Sequence, residues 1–184
     1  IRDRDKNMSN DLKFKISHKI TEENASNFTI KPLDRGYGIT IGNSLRRALL
    51  TAVPGAAITN VKIEGAHHEF STIDGVTEDL ADIIMNLKGV RFHLFESSVE
   101  PIFLKVKGPK TFTAADIQAV SDDFTILNPD HHITDIAKGT TLDVELRLGI
   151  GKGYKSSEEN ILNNSPVGMI PIDSIFNPVT KVSF

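Results

Sequence analysis

The stretch DRGYGITIGNSLRRALLTAVPG, residues 34–55, decides how the chain reads. Ile41, Leu45, Ala48, Leu49 and Ala52 recur at the three- and four-residue steps that line one side of an α-helix. Leu50 and Val53 widen this stripe beyond one side, and Arg46 and Arg47 stand beside it. Pro54-Gly55 is expected to stop the helix, because proline lacks the N–H that a further turn would use. Gly36, Gly38 and Gly42 lie at its start, where helix propensity is poorest. The plain reading of Arg46-Arg47 is the solvated edge of a core helix. A helix that is apolar around more than one side, however, needs cover on more than one side, which points to a partner. Arginine is also the cation best suited to interface carboxylates.

Working outward, residues 1–10 read as a flexible N-terminal segment. In LKFKISHKI, Leu12, Phe14 and Ile16 alternate with Lys13 and Lys15, the pattern of a half-buried strand. TEENASN reads as a turn and FTIKPL as a second strand, together a hairpin that Pro32 ends. Beyond residue 54, TNVKIEG and HHEFST read as extended. VTEDLADIIMNLKG gives a second helix, with Val76, Leu80, Ile83, Ile84 and Leu87 on its apolar face. Thr77 is the expected N-cap, with Glu78 and Asp79 in the first turn and Lys88-Gly89 at the end. VRFHLF, PIFLKVKG, FTILNP and TTLDVELRLGIG read as strands, TAADI as a helical turn and KSSEENILNNSP as a polar loop. VGMIPIDSIFNPVTKVSF returns to short extended pieces. Segregated strands and helices of this kind indicate an α+β fold rather than a regular parallel βαβ sheet.

With 184 residues the chain holds one domain or two small ones. Its 21 Lys+Arg against 24 Asp+Glu leave a net charge of -3, and phosphate binding needs a basic excess that this balance does not supply. The absence of cysteine excludes disulfides, thiolate metal sites and a cysteine nucleophile, and fits a cytoplasmic location. No apolar run reaches the ~20 residues of a membrane-spanning helix. A start at Ile1 rather than Met suggests a piece of a longer protein.

Three motifs carry possible chemistry. Gly36-Tyr37-Gly38, between a strand and a helix, invites a nucleotide-binding turn and a small nucleotide-binding enzyme. The third glycine, Gly42, is one residue late for G-x-G-x-x-G, and no βαβ unit follows. In GIGKGYKS, residues 149–156, Tyr154 stands where a P-loop needs glycine before Lys-Ser. His67-His68-Glu69 and Asp130-His131-His132 invite a metal, but neighbours on an extended segment point to opposite faces. Surface or hydrogen-bonding histidines are the expectation, and no triad or carboxylate pair emerges.

Taken together, PLDRGYGITIGNSLRRALLTAVPGAAITNVKIEG and HHEFSTIDGVTEDLADIIMNLKG resemble the N-terminal domain of the bacterial RNA polymerase α subunit. The ordered pieces are the glycine turn 36–42, the N-x-L-R-R-x-L-L helix 43–50, the strand 68–72 and the helix 75–88. The match is ordered over about half the chain, and TAADI at 113–117, GKGY at 151–154 and P-V-x-x-V at 178–182 also fit.

The resemblance implies two interleaved domains. Residues 11–53 plus 164–184 would form a discontinuous dimerisation domain lacking its C-terminal helix, and 54–163 an inserted domain. It implies a homodimer through Ile41, Leu45, Ala48, Leu49 and Ala52. It implies docking of the β and β′ subunits at Arg46, Arg47, Leu50, Lys88, Gly151, Gly153 and Tyr154. The chain would be a non-catalytic part of a nucleotidyltransferase, with no cofactor of its own, no direct DNA contact and no membrane. The assembly subunits of archaeal and eukaryotic-type polymerases, which pair as heterodimers, are the related alternative.

Overall fold

The computed structural model describes residues 14–22, 24–66, 70–95, 100–163 and 166–184. The expected N-terminal segment 1–10 and the histidines at 67 and 68 lie outside these. The described residues fall into two compact units, one running to Arg46 and including Phe184, the other Arg47–Ser183.

In the first unit, β1 (Lys15–Glu22) and β2 (Ala25–Lys31) form an antiparallel hairpin. The turn is shorter than TEENASN suggested, because Ala25, Ser26 and Asn27 already pair across the hairpin, and a bulge between Ile20 and Glu22 adjusts the register. His18 stacks on its cross-strand partner Phe28 with ring centroids 4.8 Å apart. The expected half-burial is corrected: every residue of β1 is exposed, Ile16 at 60%, and Phe28 of β2 is 63% exposed. The alternation is real, but of the two strands only Ile30 is half-buried.

Helix α1 (Tyr37–Thr51) begins earlier than the glycines predicted, directly after Gly36, whose φ of 91° only glycine adopts readily. Gly38 and Gly42 lie inside it. Gly42 has a local reason, since a Cβ there would sit 2.2 Å from the Phe184 ring. The helix ends at Thr51, and Pro54-Gly55, expected as its stop, opens the next strand instead.

The second unit is built on β3 (Pro54–Ile63). A bulge between Ile58 and Asn60 turns the Asn60 side chain inward beside Val61, where strict alternation along a strand would put the two on opposite faces. Helix α2 (Leu80–Lys88) buries Leu80, Ile83, Ile84 and Leu87, the face read from sequence. Its N-cap is Asp79, which accepts from Asp82 N–H, rather than Thr77. Gly89 caps the other end with a right-handed φ of -74°, and its missing Cβ leaves room for His131 Nε2.

The chain continues through β4 (Phe92–Leu94), β5 (Ile102–Lys107), β6 (Lys110–Thr113), α3 (Ala114–Gln118), β7 (Phe124–Ile126), β8 (His132–Ile136) and β9 (Thr141–Lys152). Short β6 and β8, unread in the sequence, pair with each other. The pieces β10 (Tyr154–Lys155), β11 (Ile170–Pro171) and β12 (Ser174–Ile175) close the chain. The main sheet runs β5-β9-β3-β4-β7, with β11 added on β3, and its pairs are antiparallel.

The fold is α+β, as the segregated elements indicated. Leu142, Val144 and Leu146 of β9 meet Ile102, Leu104 and Val106 of β5 in one core with α2 and α3. Each fully buried Leu or Ile contributes about 2 kcal/mol. Residues 170–175 pair with β3 and β10, so the return segment 166–183 belongs to the unit Arg47–Ser183.

Candidate functional site

No residue of α1 is buried. Leu45 is 44% exposed and Leu49 37%, Ala48 and Ala52 are exposed, and Ile41 and Leu50 are half-buried. A helix whose apolar stripe stays in water loses the burial that stabilises helices in proteins. Arg46 and Arg47 are exposed as well. Ser44 Oγ donates to the Thr40 carbonyl at 2.8 Å and Thr51 Oγ1 to the Arg47 carbonyl at 2.7 Å, so these polar side chains turn back on the helix.

The GKGY turn has a clear local architecture. Gly151 makes room for the Phe176 ring, and Gly153 takes the positive φ of 61° that lets β9 turn into β10. The Gly153 carbonyl accepts from Phe176 N–H at 2.8 Å. A Cβ on Gly153 would lie 3.4 Å from the Thr51 carbonyl, and Pro54 pairs with Lys152. The turn is therefore next to the end of α1 that carries Leu50. Tyr154 is 65% exposed and faces Ile175 across the β10–β12 pair.

Lys88 is drawn toward the same place. Its ammonium donates to Asp173 Oδ1, two residues before Ile175. Ile172, Ser174 and Phe176 are buried while Asp173 and Ile175 are not, so Asp173 and Ile175 share the outward face of this segment. Thus the structure gathers Lys88, Gly151, Gly153 and Tyr154, four positions spread along residues 88–154 of the sequence, onto neighbouring elements. Asp173 and Ile175 were missed. Their only sequence signal is the alternation within IPIDSIF, read as short extended pieces without a role.

Elsewhere, Glu78, His132 and Asp135 bring one ligand atom each within 4.8 Å of one another. All three side chains already make hydrogen bonds within the fold. Glu78 Oε2 accepts from Thr134 Oγ1 and from Asp135 N–H at 3.0 Å, Glu78 Oε1 meets His132 Nε2 at 2.7 Å, and Asp135 Oδ1 accepts from Thr111 Oγ1 at 2.5 Å. Burial pushes the Glu78 carboxyl up, but the hydrogen bonds from Thr134, His132 and Asp135 outweigh it and lower the pKa to about 2. His131 Nε2 meets the Asn86 carbonyl at 2.8 Å. Both described histidines of this pair are hydrogen-bonded, as expected. The cluster ties the start of α2 to β8.

The Gly36–Gly42 turn follows an antiparallel hairpin, and two of its glycines are helical, which is not the strand–turn–helix of a parallel βαβ unit. An open groove of about 290 Å³ lies over Phe103, Lys105, Lys62 and Glu145 on the solvated face of the sheet. Among the described residues no helix is long and apolar enough to cross a membrane.

Residues 61–177 match the family model described as the RNA polymerase Rpb3/RpoA insert domain. The chain is 51% identical over 157 residues to a DNA-directed RNA polymerase subunit alpha of Salinibacter ruber, covering 85% of this chain and 48% of that protein. It is 48% identical over 170 residues to the subunit alpha of Alkaliphilus oremlandii, covering 90% and 53%. With that of Limosilactobacillus reuteri it shares 46% over 170 residues, covering 91% and 54%. The chain spans about half the length of the curated relatives it matches.

Proposed function

The chain belongs to the RNA polymerase α-subunit family, and from that premise we propose that it is a non-catalytic assembly platform of a DNA-directed RNA polymerase. Two copies pair through α1, and the dimer receives the β and β′ subunits that carry the nucleotidyl transfer. The observation that carries this reading is the uncovered stripe of α1, with Leu45 and Leu49 exposed on a helix that has no fully buried residue. An apolar surface of this kind marks an interaction site.

In this reading Ile41, Leu45, Ala48, Leu49 and Ala52 meet the second copy. Arg46, Arg47 and Leu50, with Lys88 and the Gly151–Tyr154 turn, meet the large subunits. Residues 54–163 act as an inserted domain of a dimerisation domain formed by 11–53 and 164–184. The near-balanced charge suits protein rather than DNA ligands, and the work is done in the cytoplasm without a cofactor of this chain.

The test is co-purification of the full-length subunit with β and β′ and mass measurement of the complex. Two α copies with one of each large subunit is the expected result. An α subunit that stays monomeric, or that recovers neither large subunit, overturns the reading.

A further inference from the structure

We infer that Asp173 is a positioning residue for assembly: its carboxylate holds the Lys88 ammonium on the face shared by Ile175 and Tyr154, and so prepares Lys88 for an acceptor on a large subunit. This rests on the reading that Lys88 meets a large subunit.

Lysine is a long, flexible side chain with a compact charge, and fixing it costs conformational freedom at the moment of binding. Asp173 fixes it beforehand. The backbone on both sides of Asp173 is locked: Ile172 N–H donates to the Thr59 carbonyl at 2.9 Å, and Ser174 Oγ donates to the Ile58 carbonyl at 2.7 Å. Asn160 Nδ2 also holds the Ile172 carbonyl at 2.7 Å. Asp173 is therefore a rigid post and Lys88 the movable partner. The side chains remain partly open, 20% exposed for Lys88 and 36% for Asp173, which leaves ammonium protons for a further acceptor. A half-exposed ion pair adds little to folding. Orientation explains the arrangement better than stability does.

The experiment uses full-length subunits co-expressed with β and β′, with complex yield and thermal unfolding measured in parallel. Lys88→Ala should weaken recovery of the complex. Asp173→Asn should weaken it roughly three- to ten-fold, Asp173→Glu should restore most of it, and the double variant should be no worse than Lys88→Ala alone. The melting temperature of Asp173→Asn should stay near that of the wild type. If Lys88→Ala weakens recovery but Asp173→Asn does not, or if Asp173→Asn acts additively or lowers the melting temperature strongly, the positioning role is overturned while the docking reading stands. If Lys88→Ala has no effect, both fall.

Discussion

Phe176 fills the space that a side chain at position 151 would need, since a Cβ on Gly151 would lie 2.6 Å from Phe176 Cδ2. The ring cannot back away easily. Phe176 is buried, and its carbonyl oxygen lies 2.0 Å from where a Cβ on Gly55 would be. Gly151→Ala should therefore destabilise the unit Arg47–Ser183 by about 1–3 kcal/mol, the usual cost of overpacking. An unchanged melting temperature would mean that the ring has room to move.

A carboxylate in the middle of the α1 stripe tests dimerisation. Leu49→Asp should leave the full-length subunit monomeric in sedimentation, because a charge buried without a partner costs several kcal/mol. A dimer of undiminished stability would show that Leu49 does not face the second copy.

Arg47 should behave differently from Leu49. Arg47→Ala is expected to sediment as a dimer yet to recover less β, since an exposed arginine adds little to folding and much to pairing with interface carboxylates. Normal recovery of β would remove Arg47 from the docking surface.

Glu78 gives a pH dependence of definite sign. Its folded pKa of about 2 lies below the ordinary 4.5, so its contribution is fully present above pH 4.5 and is lost as the pH falls toward 2. Acid titration of unfolding should be steeper over this window for the wild type than for Glu78→Gln. At neutral pH Glu78→Gln should cost about 1–2 kcal/mol, because Thr134, a buried residue, and the Asp135 N–H lose a charged acceptor. Parallel titrations of the two proteins would contradict this.

Asn160 tests the polar loop. Its side chain donates to the Ile172 carbonyl and to Ser174 Oγ, and its carbonyl accepts from the buried Asn60 at 3.0 Å. Asn160→Ala should cost about 2 kcal/mol by stranding buried acceptors, and should speed proteolysis at 155–163. Equal protease resistance would show that the loop does not depend on this network.

Much of the unit Arg47–Ser183 was legible because its elements bury one face each. The alternation of Leu142, Val144 and Leu146, and the helical spacing of Leu80, Ile83, Ile84 and Leu87, report a core that the structure contains. Reading failed where a local choice depended on a distant partner. Asp79 rather than Thr77 caps α2, and neighbouring Glu78 instead pairs with His132, Thr134 and Asp135, more than 50 residues away. The hairpin showed the opposite failure: its alternation predicted burial that the described residues do not supply.

By itself the sequence determined the α+β class, the two main helices and, through an ordered string of motifs, the family, because period and motif order are local properties of the chain. It also marked α1 as a helix with more apolar surface than one core needs. Only the tertiary structure decided that GKGY, Lys88 and IPIDSIF become neighbours. That outcome depends on antiparallel register, on the glycine at 151 that admits Phe176, and on an ion pair between residues 85 positions apart. Such contacts are set by which surfaces the sheet brings together, and no periodicity along the chain records them.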